Sequence, residues 1–159
     1  MEAVVSLLKE LNYTISSCES LTGGLFSKTI TDVPGASQVF KGSIVAYSNQ
    51  AKIDVVSINA EVFNKYGAVS KECALAMAQN VRAIFKTDVA VSFTGNAGPN
   101  ASENKPVGLI YIALVFEKFF IIEELSLSGT REEIRNEVVK QAQAILAANL
   151  IRIKKESSK

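Results

Sequence analysis

Short β-rich segments alternate with helical apolar stripes along this chain, and that alternation leaves few folds open. Residues 1–11 place Val4, Leu7, Leu8 and Leu11 on one helical stripe. Residues 13–18 predict a strand. Gly23 to Thr31 predicts a helix, stopped by the turn signal Asp32-Val33-Pro34-Gly35. Val39 to Tyr47 predicts a second strand, and residues 49–57 and 60–66 two short helices. Ser70 suits an N-cap, and Glu72 sets an acid in the first turn of a helix running to Phe85. Asp88 to Phe93 has the pattern of a buried strand. Val107 to Val115 and Phe119 to Leu127 predict a hairpin turning at Glu117-Lys118. A last helix opens at Ser128-Gly129-Thr130 and runs to about residue 151. The expected fold is therefore α/β, with three α/β/α layers around a mixed, mostly parallel sheet of about five strands. One domain is expected over 1–152, followed by a polar, disordered tail at 153–159.

Composition narrows the function classes. The 159 residues are 48% hydrophobic and 21% charged, as in ordinary globular proteins. A formal net charge of +1 gives no field that would draw the chain to nucleic acid or a membrane surface. No apolar run approaches the ~20 residues of a membrane span, and the N-terminus carries acid where a secretion signal needs base. Cys18 and Cys73 form no metal-spaced pair, and a reducing cytoplasm is the expected setting. The chain has no histidine. That removes the Ser-His-Asp triad and the Cys-His pair, and no metal site is expected. A general base must be Lys, Asp, Glu, Tyr, Cys or the N-terminal amine.

Four segments stand where a strand gives way to a loop or helix, or where a helix begins. The first is Ser20-Leu21-Thr22-Gly23-Gly24, and in an open α/β sheet ligands collect at the carboxyl ends of strands. Gly23 and Gly24 allow close backbone approach, and the amides near them, or near Thr94 and Gly95, are candidate donors to an oxyanion. Ser20 is either a nucleophile or an N-cap, and spacing alone favours the cap. The second is Tyr47-Ser48-Asn49-Gln50-Ala51-Lys52. Lys52 is either a solvated helix lysine or, if burial or a nearby cation lowers its pKa, a base. The third is Thr94-Gly95-Asn96-Ala97-Gly98-Pro99, small residues at a strand end that suit either a plain loop or a ligand wall. Neither a G-x-G-x-x-G nor a G-x-x-x-x-G-K-[ST] pattern occurs. In the fourth, Arg131 and Arg135 share one helix face near its N-terminus, against the helix dipole. They meet either an anionic ligand or nearby acids such as Glu132 and Glu133.

Cys18 and Cys73 read as packing residues. Glu19 reads as a cap or a buried catalytic acid. The Phe119-Phe120-Ile121-Ile122 run reads as sheet core or as an interface of a homo-oligomer.

Together these segments resemble the C-terminal domain of the CinA (competence/damage-inducible) family over about residues 1–150. The resemblance rests on Glu19-Ser20-x-Thr22-Gly23-Gly24, Tyr47-Ser48-Asn49-x-Ala51-Lys52, Gly67-Ala68-Val69-Ser70, Gly95-x-Ala97-Gly98-Pro99 and Lys105-Pro106-Val107-Gly108, in that order. It implies a stand-alone form without the larger N-terminal domain of longer members. It also implies hydrolysis of the carboxamide of nicotinamide mononucleotide to nicotinate mononucleotide and ammonia, with no cofactor. The family's serine nucleophile falls on Ser20, its lysine base on Lys52 and its tyrosine on Tyr47. Substrate-binding positions fall on Thr22, Gly23, Gly24, Thr94, Gly95, Ala97 and Gly98, on Ser37, and on Arg131 or Arg135 for the phosphate. The expected partner is thus a small-molecule nucleotide, with no direct nucleic-acid binding.

The chain departs from the family pattern at Asn96, where an apolar residue is usual. The loop Asn100-Ala101-Ser102-Glu103-Asn104 lacks paired glycines and is about one residue shorter. Leu21 stands where cysteine is common. The loop differences favour the rival reading, a nucleotide-binding module of the same fold with little or no hydrolytic activity, and the intact Ser20, Tyr47 and Lys52 oppose it. A role in DNA uptake or repair is suggested only by the family's name.

Overall fold

A computed structural model describes residues 1–158. The elements are α1 (Glu2–Leu11), β1 (Ile15–Glu19), α2 (Leu25–Thr31), a 3-10 turn (Ala36–Gln38), β2 (Phe40–Val45), α3 (Asn49–Asp54), α4 (Ala60–Tyr66), α5 (Lys71–Phe85), β3 (Val89–Gly95), β4 (Leu109–Val115), β5 (Phe120–Ser126) and α6 (Arg131–Ser157). The sheet order is β2-β1-β3-β4-β5. β1 pairs in parallel with β2 and β3, while β3–β4 and β4–β5 are antiparallel. The sheet is mixed as expected, with its pairings divided evenly between the two kinds.

Strand alternation builds the three layers. Val89, Val91 and Phe93 turn one way, into a core shared with Val4, Leu8, Phe26 and the α6 residues Ile134, Val138, Leu146 and Leu150. Ala90 and Ser92 turn the other way, toward α5. That face is lined by small groups, Cys18, Cys73, Ala74, Ala78 and Ala113, so α5 lies close enough for Ser92 Oγ to donate to the Ala74 carbonyl at 2.5 Å. Ser70 caps α5 as expected, accepting from the Cys73 amide at 3.1 Å.

α6 runs farther than expected. Residues 153–157 are helical rather than disordered: Ile153 packs against the core, and Lys154 Nζ pairs with Glu10 Oε2 at 2.5 Å. Lys159 lies outside the described residues. Among the described residues no helix is long and apolar enough to cross a membrane.

The strand order turns around at β1. The chain passes from β1 through α2 to β2 on one side, then through α5 to β3 on the other. Such a reversal opens a crevice beyond the carboxyl ends of β1 and β3. The 20–24 and 95–98 segments sit there.

Candidate active site

Ser20 follows β1 directly, its amide held by the Phe93 carbonyl at 3.1 Å. It is not the cap of α2. That position belongs to Gly24 at φ +100°, in the left-handed region that glycine tolerates. Glu19 does the capping work from within the sheet end. Its Oε1 accepts from the Gly24 and Phe26 amides at 3.2 and 2.9 Å. Its Oε2 accepts from the Ser27 amide at 3.1 Å, from the Ser27 hydroxyl, and from Ser43 Oγ at 3.3 Å. Glu19 is fully buried and every contact of its carboxylate is structural, so the capping alternative holds.

With the cap supplied elsewhere, Ser20 is free to face Lys52. Ser48 caps α3 through the Ala51 amide at 3.0 Å, which sets Lys52 one turn in and points it under the crevice. Lys52 Nζ donates to Ser20 Oγ at 3.0 Å. The lysine is 2% exposed and the serine 9%. The reading of Lys52 as a solvated helix residue is therefore excluded.

Burial holds the Lys52 ammonium below the ordinary lysine value of 10.5. The thiols of Cys73 and Cys18 do little to restore the charge, since burial pushes them up to about 11 and about 12 and leaves both neutral at ordinary pH. The Glu103 carboxylate also favours the ammonium, but burial outweighs it. Among the described residues no carboxylate forms an ion pair with Lys52. A lysine desolvated in this way carries its free amine at lower pH than an ordinary lysine, and at a serine hydroxyl it can accept the hydroxyl proton.

The pair opens into a cavity of about 440 Å³, also lined by Leu21, Tyr47, Asn49, Ala68, Val69, Thr94, Gly95, Asn96, Ala97, Gly98, Asn100, Ser102, Glu103 and Arg131. Tyr47 is 61% exposed, and its hydroxyl accepts from Arg131 Nη2 at 2.8 Å rather than bonding Ser20 or Lys52. Arg131 Nη1 donates to the Gly98 carbonyl at 2.6 Å. Arg135 does not line the cavity. It donates to the carbonyls of Leu21 and Thr22 at 2.9 and 3.0 Å and so braces the serine loop. Of the two arginines, Arg131 is the one open to a ligand. Neither pairs with Glu132 or Glu133.

Three further expectations need correction. The amides of Gly23 and Gly24 are already donating, to the Ser20 carbonyl at 3.0 Å and to Glu19, and so are not free for an oxyanion. Among the described residues the amides of Leu21 and Thr22 donate to no acceptor. Ser37 lies in the 3-10 turn before β2, at the opposite end of the parallel strands, and is exposed away from the cavity. Thr22 is fully buried behind the loop, with Oγ1 unpartnered, and does not line the cavity either.

The unusual loop is knitted, not loose. Asn96 is buried, and its Nδ2 donates to the carbonyls of Lys105 at 3.0 Å, Ser102 at 3.3 Å and Pro106 at 3.4 Å, while Oδ1 accepts from Ser102 Oγ at 2.5 Å. An amide side chain at this position thus organises a loop that lacks paired glycines. Glu103 and Lys105 clasp the same loop to the turn before α5. Glu103 accepts from the Ala68 and Val69 amides at 2.7 and 3.0 Å. Lys105 Nζ donates to the Tyr66 and Val69 carbonyls at 2.7 and 2.5 Å. Glu103 has no local signal in the sequence: its partners lie more than thirty residues away, and in isolation it reads as a solvated loop acid.

The comparisons with known proteins agree with this architecture. The CinA C-terminal domain model matches residues 1–150. A CinA-like protein of Dictyoglomus turgidum is 49% identical over 135 residues, covering 84% of this chain and 33% of that protein. A putative competence-damage inducible protein of Acetivibrio thermocellus is 44% identical over 149 residues, covering 93% and 36%. The chain thus spans about a third of the length of these curated relatives. Among solved structures, the competence/damage inducible protein CihA of Agrobacterium tumefaciens superposes with TM-score 0.85 at 33% identity, covering 92% of this chain and 94% of that one. A CinA superfamily protein of Klebsiella pneumoniae reaches TM-score 0.92 at 24% identity, covering 95% of each chain. With family model, relatives and fold in agreement, the chain belongs to the CinA family, as its C-terminal domain.

Proposed function

We propose that this domain is an amidohydrolase that converts nicotinamide mononucleotide to nicotinate mononucleotide and ammonia. The observation that carries the reading is the buried 3.0 Å contact between Lys52 Nζ and Ser20 Oγ, with no carboxylate paired to the lysine. Neutral Lys52 takes the hydroxyl proton as Ser20 Oγ attacks the carboxamide carbon. The resulting oxyanion is met by the Leu21 amide, which follows the nucleophile on the cavity wall and has no other acceptor among the described residues. The Lys52 ammonium returns its proton to the leaving nitrogen, the C–N bond breaks and ammonia departs, leaving an ester on Ser20. Water then attacks the ester, gives one proton to Lys52, and Ser20 Oγ recovers that proton as the carboxylic acid leaves and ionises to the carboxylate in solvent. Arg131, with two of its nitrogens bonded at the Tyr47 end of the cavity, holds the substrate phosphate.

The test is ammonia release by the purified domain from a series of pyridine amides: the mononucleotide, the riboside and free nicotinamide. The phosphorylated member should turn over best, and Lys52→Ala should abolish the release while the chain stays folded. Equal turnover of all three, or none of any, would defeat the assignment. The exposed edge of β5, where Phe120 is 53% accessible, also supports self-association into a homo-oligomer.

A further inference from the structure

Ser20 and Lys52 at one part of the cavity demand a carboxamide, and Arg131 at another suits an anion. The remainder of a substrate meets the remaining wall. On that wall stands Glu103, and among the described residues it is the one acid that lines the cavity. We infer that Glu103 is a specificity-determining residue, whose carboxylate selects a substrate with a cationic amide-bearing ring, as in an N-ribosylpyridinium nucleotide. This rests on the amidohydrolase reading and says which rings the site accepts.

Three observations support it. The carboxylate is fixed, since the Ala68 and Val69 amides hold it at 2.7 and 3.0 Å on a wall that also contains Thr94, whose Oγ1 donates to the Ala68 carbonyl at 2.7 Å. A fixed charge costs no reorganisation when a ligand arrives. The carboxylate also keeps its charge. Burial pushes Glu103 up, but the two amides and Lys105 outweigh it and hold the group below the usual carboxylate range. Lys105 Nζ lies 3.3 Å from Glu103 Oε2 and offsets part of the charge, while it also donates to two carbonyls at 2.7 and 2.5 Å. Two amides and one ammonium occupy three of roughly four acceptor positions on a carboxylate, which leaves one unused on a residue that lines the cavity.

The experiment compares two ligands that share carboxamide, ribose and phosphate but differ in ring charge: nicotinamide mononucleotide and its reduced 1,4-dihydropyridine form. Affinities for both are measured by calorimetry in a Ser20→Ala background, so that hydrolysis plays no part. The cationic ligand should bind more tightly. Glu103→Gln should shrink that preference by about tenfold, the size of one pairwise attraction in a partly solvated site. Lys105→Met, which removes the neighbouring cation but keeps the carboxylate, should widen the preference for the cationic ligand.

Equal binding of the two ligands before any change at Glu103 overturns the inference, whether or not the Glu103 variant folds. So does an equal loss of both in Glu103→Gln, which would leave Glu103 a clasp alone. If the preference shifts as expected but the wild-type domain releases no ammonia, charge selection stands and the amidohydrolase reading fails.

Discussion

Replacing Lys52 with methionine should separate a catalytic lysine from a structural one, because the two roles move stability in opposite directions. Methionine matches the stem in length and carries no proton. In the folded chain burial lowers the Lys52 pKa below 10.5, while in the unfolded chain it returns to about that value. Between the two midpoints the unfolded state binds a proton that the folded state does not. Wild-type stability therefore rises with pH through that window and levels off above 10.5. Each pH unit of depression costs the wild type about 1.4 kcal/mol at pH values below the folded midpoint. The bond to Ser20 returns about 1 kcal/mol, and water in the cavity can replace it for Ser20. We expect Lys52→Met to be the more stable protein at pH 7, with the gap closing as pH nears 10.5. The assay is denaturant unfolding of both proteins at several pH values, paired with ammonia release. Turnover should fall by about 10²–10⁴, the usual worth of a general base, with KM little changed because Arg131 is untouched. In the wild type kcat/KM should climb with pH, with a midpoint below 10.5. A Lys52→Met protein that is less stable at every pH, by a constant amount, would show that Lys52 is a structural cation and refute the argument.

Other outcomes follow from the same geometry. Arg131→Ala should raise KM for the mononucleotide by about 10–100-fold and leave the unphosphorylated riboside nearly unchanged, the size expected for lost charge-assisted hydrogen bonds. Arg135→Ala should instead cost about 1–3 kcal/mol of stability and impair both substrates equally, since it holds two carbonyls of the serine loop. Asn96→Ala should cost about 1–3 kcal/mol in a thermal or denaturant melt by leaving the loop carbonyls unpaired, and a silent substitution would mean that the loop holds itself. Phe120→Glu should lower the molar mass seen by light scattering if β5 is the self-association edge, and an unchanged assembly would place the interface elsewhere.

The sequence carried the fold because period and punctuation agreed along it. Ser70 before the α5 stripe, the turn at Glu117-Lys118 and the glycines after β1 are local signals, and local signals survive without a structure. The end of α6 was illegible for the opposite reason. Lys154 and Lys155 look like a solvated tail until Glu10, on another helix, comes within 2.5 Å of Lys154. The site divides the same way. Ser20 and Lys52 were legible as candidates, but their contact was not, since it depends on Glu19 taking over the capping that Ser20 otherwise offers. Arg131 and Arg135 look alike in sequence, and only the fold sends one to the cavity and the other to the loop behind it. Ser37 was misplaced because a turn that precedes a strand and a loop that follows one look equally suited to ligands. Glu103 was missed because its amide partners sit across the cavity wall, in the turn before α5.

The most direct test of the Ser20–Lys52 account is ammonia release from nicotinamide mononucleotide by the wild-type chain and by Ser20→Ala, side by side, with circular dichroism verifying that both are folded. The account predicts one ammonia per nicotinate mononucleotide formed by the wild type, and a loss of about 10³-fold or more in the variant. Turnover retained by folded Ser20→Ala would contradict it.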